Sequence, residues 1–293
     1  MKCGFVSIVG RPNVGKSTLL NTLVGEKVAI TSNVSGTTRN IINGIYNDEE
    51  AQIIFIDTPG VHKAHNELER VMNKKSYNNF EVANVILFMI DASTGYGGGD
   101  EFILDKIKDS GIPIFLILNK VDKIKDKEKI LKQIDLVKDK YNFSEIIPIS
   151  AKSDNRELIS IIKKYLPIGN RMYEEDDFTS VSTKFMVAEY VREKLLMLTH
   201  DEIPHTISCY TEEFTDNGKS VDIKVLIVVD RDNIKKIVIG KGGSLLKEVG
   251  ILARKDIEKL LGKKVFLETY VKTLKNWRDE AKYLTELGLD DET

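Results

Sequence analysis

Gly10-Arg11-Pro12-Asn13-Val14-Gly15-Lys16-Ser17 fits the pattern GxxxxGK[ST] in full, and its flanks limit what the chain around it can be. Phe5 to Val9 (FVSIV) is a short apolar β-branched run, and Ser17 to Leu23 (STLLNTL) reads as helix, so the loop joins a strand to a helix. Glycines at 10 and 15 let backbone N–H groups turn inward, and the helix aims its positive dipole end at the same point, which makes a cradle for phosphate. Lys16 reaches the outer phosphates and Ser17 offers a hydroxyl to Mg²⁺, with Asn13, Val14 and Thr18 completing the loop. Such a loop belongs at the carboxyl end of a strand in a sheet covered by helices.

The rest of the first half agrees. Apolar runs at Gln52 to Ile56, Val85 to Ile90, Ile114 to Leu118 and Ile146 to Ile149 alternate with helix-length polar stretches. Strands this apolar imply a parallel sheet buried on both faces. Ile41 to Tyr46 alternates instead, and would pair antiparallel with Gln52 to Ile56 at one edge. The predicted fold class is α/β: a doubly wound mixed-sheet phosphate-loop domain over residues 1–166, a linker over 167–180, and a smaller α+β domain over 181–293.

Three further motifs fall after predicted strands. Asp57-Thr58-Pro59-Gly60 places a carboxylate where it can hold Mg²⁺ through water and a Gly60 N–H where it can bond a γ-phosphate. Asn119-Lys120-Val121-Asp122 offers the Asp122 carboxylate to the ring N–H and exocyclic amine of guanine; adenine presents an acceptor there, so GTP is selected over ATP. Lys120 lays its methylene stem along the base, and Ser150-Ala151-Lys152 aims a backbone N–H at the guanine oxygen. The loop Ser32 to Asn40 (SNVSGTTRN) supplies a threonine that joins the Mg²⁺ shell when γ-phosphate is present; Thr38 is preferred over Thr37. The catalytic set is then Lys16, Thr38, Gly60 and Asn13, and the metal set Ser17, Thr38 and Asp57.

In the second domain a helix is predicted from Lys184 to Thr199, with strands at Thr206 to Thr211, Val221 to Val229 and Ile234 to Ile239. A helix from Ser244 to Leu261, a strand from Val265 to Thr273 and a helix from Asn276 to Leu287 follow. Gly240-Lys241-Gly242-Gly243 has the form GxxG ahead of a helix, the device by which KH modules clamp single-stranded nucleic acid. The net charge of -2 argues against a nucleic-acid binder, but it is unevenly spread: residues 235–282 carry 13 basic and 6 acidic side chains, a local +7. Lys236, Ile239, Gly240, Lys241, Gly242, Gly243, Lys247 and Arg254 are the RNA candidates, with Lys235 and Lys255 nearby. Trp277 could stack on a base, although core packing suits it better.

The longest apolar run, Val85 to Ile90, is too short to cross a membrane, and Cys3 and Cys209 match neither disulfide nor zinc spacing, so a reduced cytoplasm is expected. The tail Asp290-Asp291-Glu292 is expected to be solvated.

The order of these motifs resembles that of the translation-factor-related GTPases. With SGTTR, DASTGYGGGDEF and IVIGKGGSLLKEVGILARKDIEKLLG added, the whole chain resembles the Era family, GTPases with a carboxyl-terminal KH domain. The resemblance implies GTP and GDP as ligands, Mg²⁺ as cofactor, a type II KH domain, and the 3′ end of small-subunit ribosomal RNA and the 30S subunit as partners in subunit maturation. It also implies a monomer, in the cytoplasm or peripheral to the inner face of the cell membrane. Val61 follows the DxxG motif where many related GTPases carry a water-positioning glutamine, so intrinsic hydrolysis should be slow. Relatives with a similar loop use K⁺, which makes Asn13 a candidate K⁺ ligand. The rival reading makes the second domain a protein- or membrane-interaction module, with Lys184 to Thr199 as its adaptor face.

Overall fold

A computed structural model of the protein describes residues 1–61, 64–78, 82–200 and 203–289, so the tail at 290–292 lies outside the described residues. The chain forms two compact units, Met1–Ala64 with Met72–Ser180, and His65–Val71 with Val181–Thr293.

The first unit runs β1 (Lys2–Gly10), α1 (Lys16–Val24), β2 (Ile42–Asn47), β3 (Ala51–Asp57), α2 (Glu67–Asn78), β4 (Val85–Asp91), α3 (Gly98–Ile107), β5 (Ile114–Asn119), α4 (Lys127–Val137), β6 (Glu145–Pro148) and α5 (Arg156–Tyr165), the first turn of α2 belonging to the other unit. The sheet order is β2-β3-β1-β4-β5-β6, parallel throughout except for β2, which pairs antiparallel with β3. Every residue of β3, β4 and β5 is buried, which is why these strands read as unbroken apolar runs without alternation. The carboxyl ends of β1, β3, β4 and β5 deliver Gly10, Asp57, Asp91 and Asn119 to one end of the sheet, with Ile8 opposite Asp57 and Asp91 opposite Asn119 in register.

Residues 167–180 form neither helix nor strand, but they are fastened to this unit. The Cys3 N–H donates to Pro167 O, Ile45 N–H to Phe178 O, and the fully buried Gln52 accepts the N–H groups of Met172 and Tyr173 at its Oε1. That pairing lets a polar amide sit inside an apolar strand.

The second unit runs α6 (Thr183–Leu198), β7 (Ser208–Asp216), β8 (Ser220–Val229), α7 (Asp232–Ile239), α8 (Ser244–Leu261), β9 (Lys264–Thr273) and α9 (Ala281–Glu286), with β8 antiparallel to β7 and parallel to β9. Residues 234–239, predicted as a strand, are helical. The β-branched run IVI has strand propensity, yet Ile234 and Val238, one helical turn apart, are the buried pair, while Lys236 and Ile237 face out. The strand predicted from Thr206 begins at Ser208, after a 3₁₀ turn at Ile203–Thr206, and the final helix is shortened to Ala281–Glu286. Its predicted start is taken up by turns around Trp277, whose side chain is fully buried and donates from Nε1 to Thr206 O at 3.0 Å. Core packing, not base stacking, is therefore its role. Among the described residues no helix is long and apolar enough to cross a membrane.

Candidate nucleotide site and nucleic-acid groove

The phosphate loop lies between β1 and α1, with Gly10 at φ 157°, Asn13 at 62° and Gly15 at 107°. Lys16 is buried, its Nζ donating to Gly10 O at 3.0 Å and Arg11 O at 3.1 Å; burial lowers its pKa to about 8, against the opposing pull of Asp57. Asp57 is fully buried, and burial raises its carboxyl to about 6 although Lys16 and Ser17 hold it down.

Three hydroxyl and carboxylate oxygens meet beside that pair. Ser17 Oγ donates to Asp57 Oδ2 at 2.5 Å, and Thr38 Oγ1 lies 2.9 Å from Ser17 Oγ. Since the single Ser17 proton goes to the carboxylate, Thr38 is the donor to Ser17. Asp57 Oδ1 is buried with no hydrogen-bond partner. A hard-oxygen set with an orphaned carboxylate oxygen is what Mg²⁺ takes, so the residues present fit that ion. Thr37 stands apart: its Oγ1 bonds Val34 O and Ser32 Oγ, both at 2.6 Å, and holds the turn of its own loop. The cavity of about 210 Å³ here is lined by residues from all the predicted motifs, including Thr18, Gly60, Lys120, Asp122, Ser150 and Lys152.

Gly60 packs directly on the loop, since a Cβ there would lie 2.8 Å from the Pro12 backbone. Val61 turns the other way, into the core with Phe88 and Ile103, and is away from the site by direction as well as by chemistry. Asn119 is buried and donates from Nδ2 to Val14 O at 2.7 Å, while its Oδ1 accepts the Ala151 N–H at 2.8 Å. The Ala151 N–H thus ties the 150–152 loop to Asn119. Lys120 Nζ donates to Asn13 O and Asp91 Oδ2, both at 2.6 Å. Asp91 is destabilised as an anion by burial, but Lys120 and Ser93 outweigh this and lower its pKa. Asn13 Nδ2 donates to Asn33 O at 2.9 Å. Thr22, which sequence reasoning missed, bonds Ala151 O at 2.7 Å from one helical turn beyond Thr18; a hydroxyl inside an apolar helix face was the available signal.

In the second unit the GxxG loop joins α7 to α8, with Gly240, Gly242 and Gly243 at φ 77°, 60° and 80°. Lys236, Lys241, Lys247 and Arg254 are exposed, Ile239 half-buried. A groove of about 320 Å³ between α8 and β9 is lined by Lys247 and Arg254 together with Leu246, Gly250, Ile251 and Leu267, which sequence reasoning did not single out. Gly250 sits mid-helix with nothing within 4 Å of where a Cβ would be. Glycine costs a helix roughly 1 kcal/mol relative to alanine, and here it opens the groove wall. The helix proposed as an adaptor face is buried from Met186 through Leu196, so it presents no such face.

Residues 5–120 match the family described as 50S ribosome-binding GTPase, and residues 202–278 match the KH domain. GTPase Era of Lacticaseibacillus paracasei is 45% identical over 288 residues, 97% of this chain and 96% of that protein. A variant of Aquifex aeolicus Era bound to GDP and AlF4⁻ superposes with a TM-score of 0.96 at 43% identity, covering 99% of both chains. Era in complex with MgGDPNP and nucleotides 1506–1542 of 16S ribosomal RNA superposes with a TM-score of 0.96 at 42% identity, again over 99% of both. Both halves, the phosphate-loop unit and the GxxG unit, are matched in one relative along nearly its whole length, and the chain therefore belongs to the Era family of GTPases.

Proposed function

We propose that this chain binds and hydrolyses GTP with Mg²⁺ in its first domain (1–166) and binds the 3′ end of small-subunit ribosomal RNA through its KH domain (181–293), acting in 30S subunit assembly. The observation that carries the nucleotide half is the convergence of Ser17 Oγ, Thr38 Oγ1 and the orphaned Asp57 carboxylate next to Lys16. When bound, Mg²⁺ supplies charge neutralisation between the outer phosphates. Ser17 and Thr38 would hold it directly and Asp57 through water, while Lys16 exchanges its two carbonyl partners for phosphate oxygens. The inward N–H groups of residues 13–18 bind phosphate, the Gly60 N–H meets the γ-phosphate, and Asp122 selects guanine with Lys120 stacked along it and residues 150–152 closing the pocket. With Val61 packed in the core, no side chain at that position orients the attacking water, so the unaided rate is slow. Asn13 is proposed as a K⁺ ligand; equal turnover in potassium and sodium buffers overturns that part.

The RNA half rests on three glycines with positive φ in one four-residue loop beside exposed cations, and on the relative solved with 16S ribosomal RNA. Gly240, Gly242 and Gly243 let the strand approach closely, Lys236, Lys241, Lys247 and Arg254 meet its phosphates, and Ile239 packs beneath. The double substitution Lys241→Asp with Lys236→Asp should abolish binding of a 3′-end RNA oligonucleotide and leave GTP turnover intact; unchanged RNA binding refutes the assignment. The GTP state is proposed to alter RNA affinity, and identical dissociation constants with GTP analogue and GDP at matched salt would remove that coupling. A cytoplasmic monomer with peripheral contact to the inner membrane face belongs to the same proposal, tested by sedimentation and vesicle flotation.

A further inference from the structure

We propose that residues 91–100, from the last residue of β4 into the first turn of α3, form a brace that sets the phosphate loop, with Asp91 and Asp100 as positioning residues acting through Lys120 and Arg11. The inference rests on the nucleotide site above and concerns a segment, DASTGYGGGD, to which that site assigned no role.

Both carboxylates are spoken for on each oxygen. Asp91 Oδ1 accepts the Ser93 N–H at 2.9 Å and its hydroxyl at 2.5 Å, and Oδ2 accepts Lys120 Nζ at 2.6 Å. The same ammonium donates to Asn13 O, so Asp91 reaches the loop through one side chain. Asn13 and Lys120 both have left-handed backbones, at φ 62° and 65°; asparagine tolerates this, but a lysine adopts it rarely and only where its surroundings hold it. The Asp91–Lys120–Asn13 chain is that hold. Asp100 is fully buried, with Oδ1 on Arg11 Nε at 2.8 Å and Oδ2 on the Gly97 N–H at 2.9 Å. Arg11 Nη2 also donates to Gly95 O at 3.2 Å, and a Cβ at Gly99 would sit 2.7 Å from Arg11 Cδ, so the side chain passes where only glycine leaves room. Arg11 O is in turn one of the two carbonyls that hold Lys16 Nζ. Arg11 is thus drawn away from the phosphate cradle and acts on the loop backbone. Two struts from one segment fix residues 11 and 13 on either side of Pro12, so nucleotide binding need not spend free energy ordering the loop.

The test is dissociation of N-methylanthraniloyl-GDP from the full chain by stopped flow, for Asp91→Asn, Lys120→Met and their double, and for Asp100→Asn, Arg11→Met and theirs. Each single substitution is expected to raise the off-rate about tenfold, equivalent to about 1.4 kcal/mol, and each double no further than its worse single. The preference for GDP over IDP, read by Asp122, should stay unchanged in the Asp91, Asp100 and Arg11 variants, none of which removes a residue assigned to the base. Off-rates within twofold of the parent, or doubles that multiply the single effects, overturn the brace; so does a double that lowers the melting temperature without coupling in the off-rates. Should Asp91→Asn fail to fold, Asp91→Glu keeps the charge but displaces the oxygens, and an unaltered off-rate there is equally damaging. A parent chain that takes up no labelled GDP would instead refute the nucleotide site itself.

Discussion

Asn119 offers the sharpest quantitative test of the nucleotide site. Its amide fastens two separate loops, donating to Val14 O at 2.7 Å and accepting the Ala151 N–H at 2.8 Å, and Asn119, Val14 and Ala151 are all buried. Asn119→Ala removes both bonds and leaves a carbonyl and an N–H without partners. Each orphaned buried group costs about 1–3 kcal/mol, so the pair comes to about 2–6 kcal/mol, toward the lower end if water enters the vacated space. Because both bonds are internal to the protein, the loss must appear in nucleotide-free material as a lower urea midpoint with unchanged slope. For a domain of this size about 2 kcal/mol corresponds to a melting shift of roughly 4–8 °C. Asn119→Asp separates the two bonds: it keeps the acceptor for Ala151 but turns a carboxylate oxygen toward Val14 O, replacing attraction by repulsion. GDP affinity, measured by calorimetry on the folded fraction, should fall in both variants, since each frees the loop carrying Val14 and Gly15. A loss under about 0.5 kcal/mol with unchanged GDP affinity in the alanine variant would refute the claim that this side chain joins the two loops.

The oxygen cluster at Ser17 predicts that Thr38→Ala weakens binding of a GTP analogue about tenfold in Mg²⁺ while sparing GDP, whereas Thr37→Ala spares both, as fluorescence titration would show. Removing Mg²⁺ with EDTA should speed GDP release, and Asp57→Asn should blunt that sensitivity; release kinetics with and without chelator decide it. Gly240→Ala forces a Cβ to 2.9 Å from Leu245 N at φ 77°, so RNA affinity by anisotropy should drop, with about 1–3 kcal/mol of stability lost and GTP turnover kept. Asp48 is pushed up by burial, but Lys163, Tyr46 and the N–H groups of Glu50 and Ala51 outweigh this and bring it to about 2. The carboxylate is then stabilising above the unfolded pKa of about 3.9 and loses its contribution as pH falls toward 2, so Asp48→Asn should flatten that acid limb of the melting curve.

The first unit was legible because a parallel sheet buried on both faces writes itself as unbroken apolar runs, and because each motif follows such a run. What stayed hidden depended on direction in space. Thr37 and Thr38 are chemically identical neighbours, and only the approach of one to Ser17 Oγ separates them. Val61 showed that no amide was present, but not that the side chain faces the core. Ser150-Ala151-Lys152 was read as aiming a backbone N–H at a base without saying which of the three, and the bond from the Ala151 N–H to Asn119 was hidden because its partner lies 32 positions away in sequence. The error at 234–239 has a different origin: over eight residues the β-branched run outweighed a two-residue helical signal, Ile234 and Val238, that is visible only once burial is known.

The two glycine loops look alike in sequence and differ in what demands the glycine. In the phosphate loop the protein itself excludes a side chain: a Cβ at Gly10 would lie 2.4 Å from Met89 O and one at Gly15 2.3 Å from Asn119 Nδ2, and at Gly60, which packs on the loop, one would lie 2.8 Å from Pro12. That is a closed mould, packed on its outer side and suited to one rigid ligand held in one pose. At Gly242 and Gly243 nothing lies within 4 Å, and only the backbone angles of 60° and 80° call for glycine. The protein leaves that space open, and a bare backbone flanked by the exposed Lys241 and Lys247 suits the repeating phosphodiester of a strand better than the fixed outline of a nucleotide.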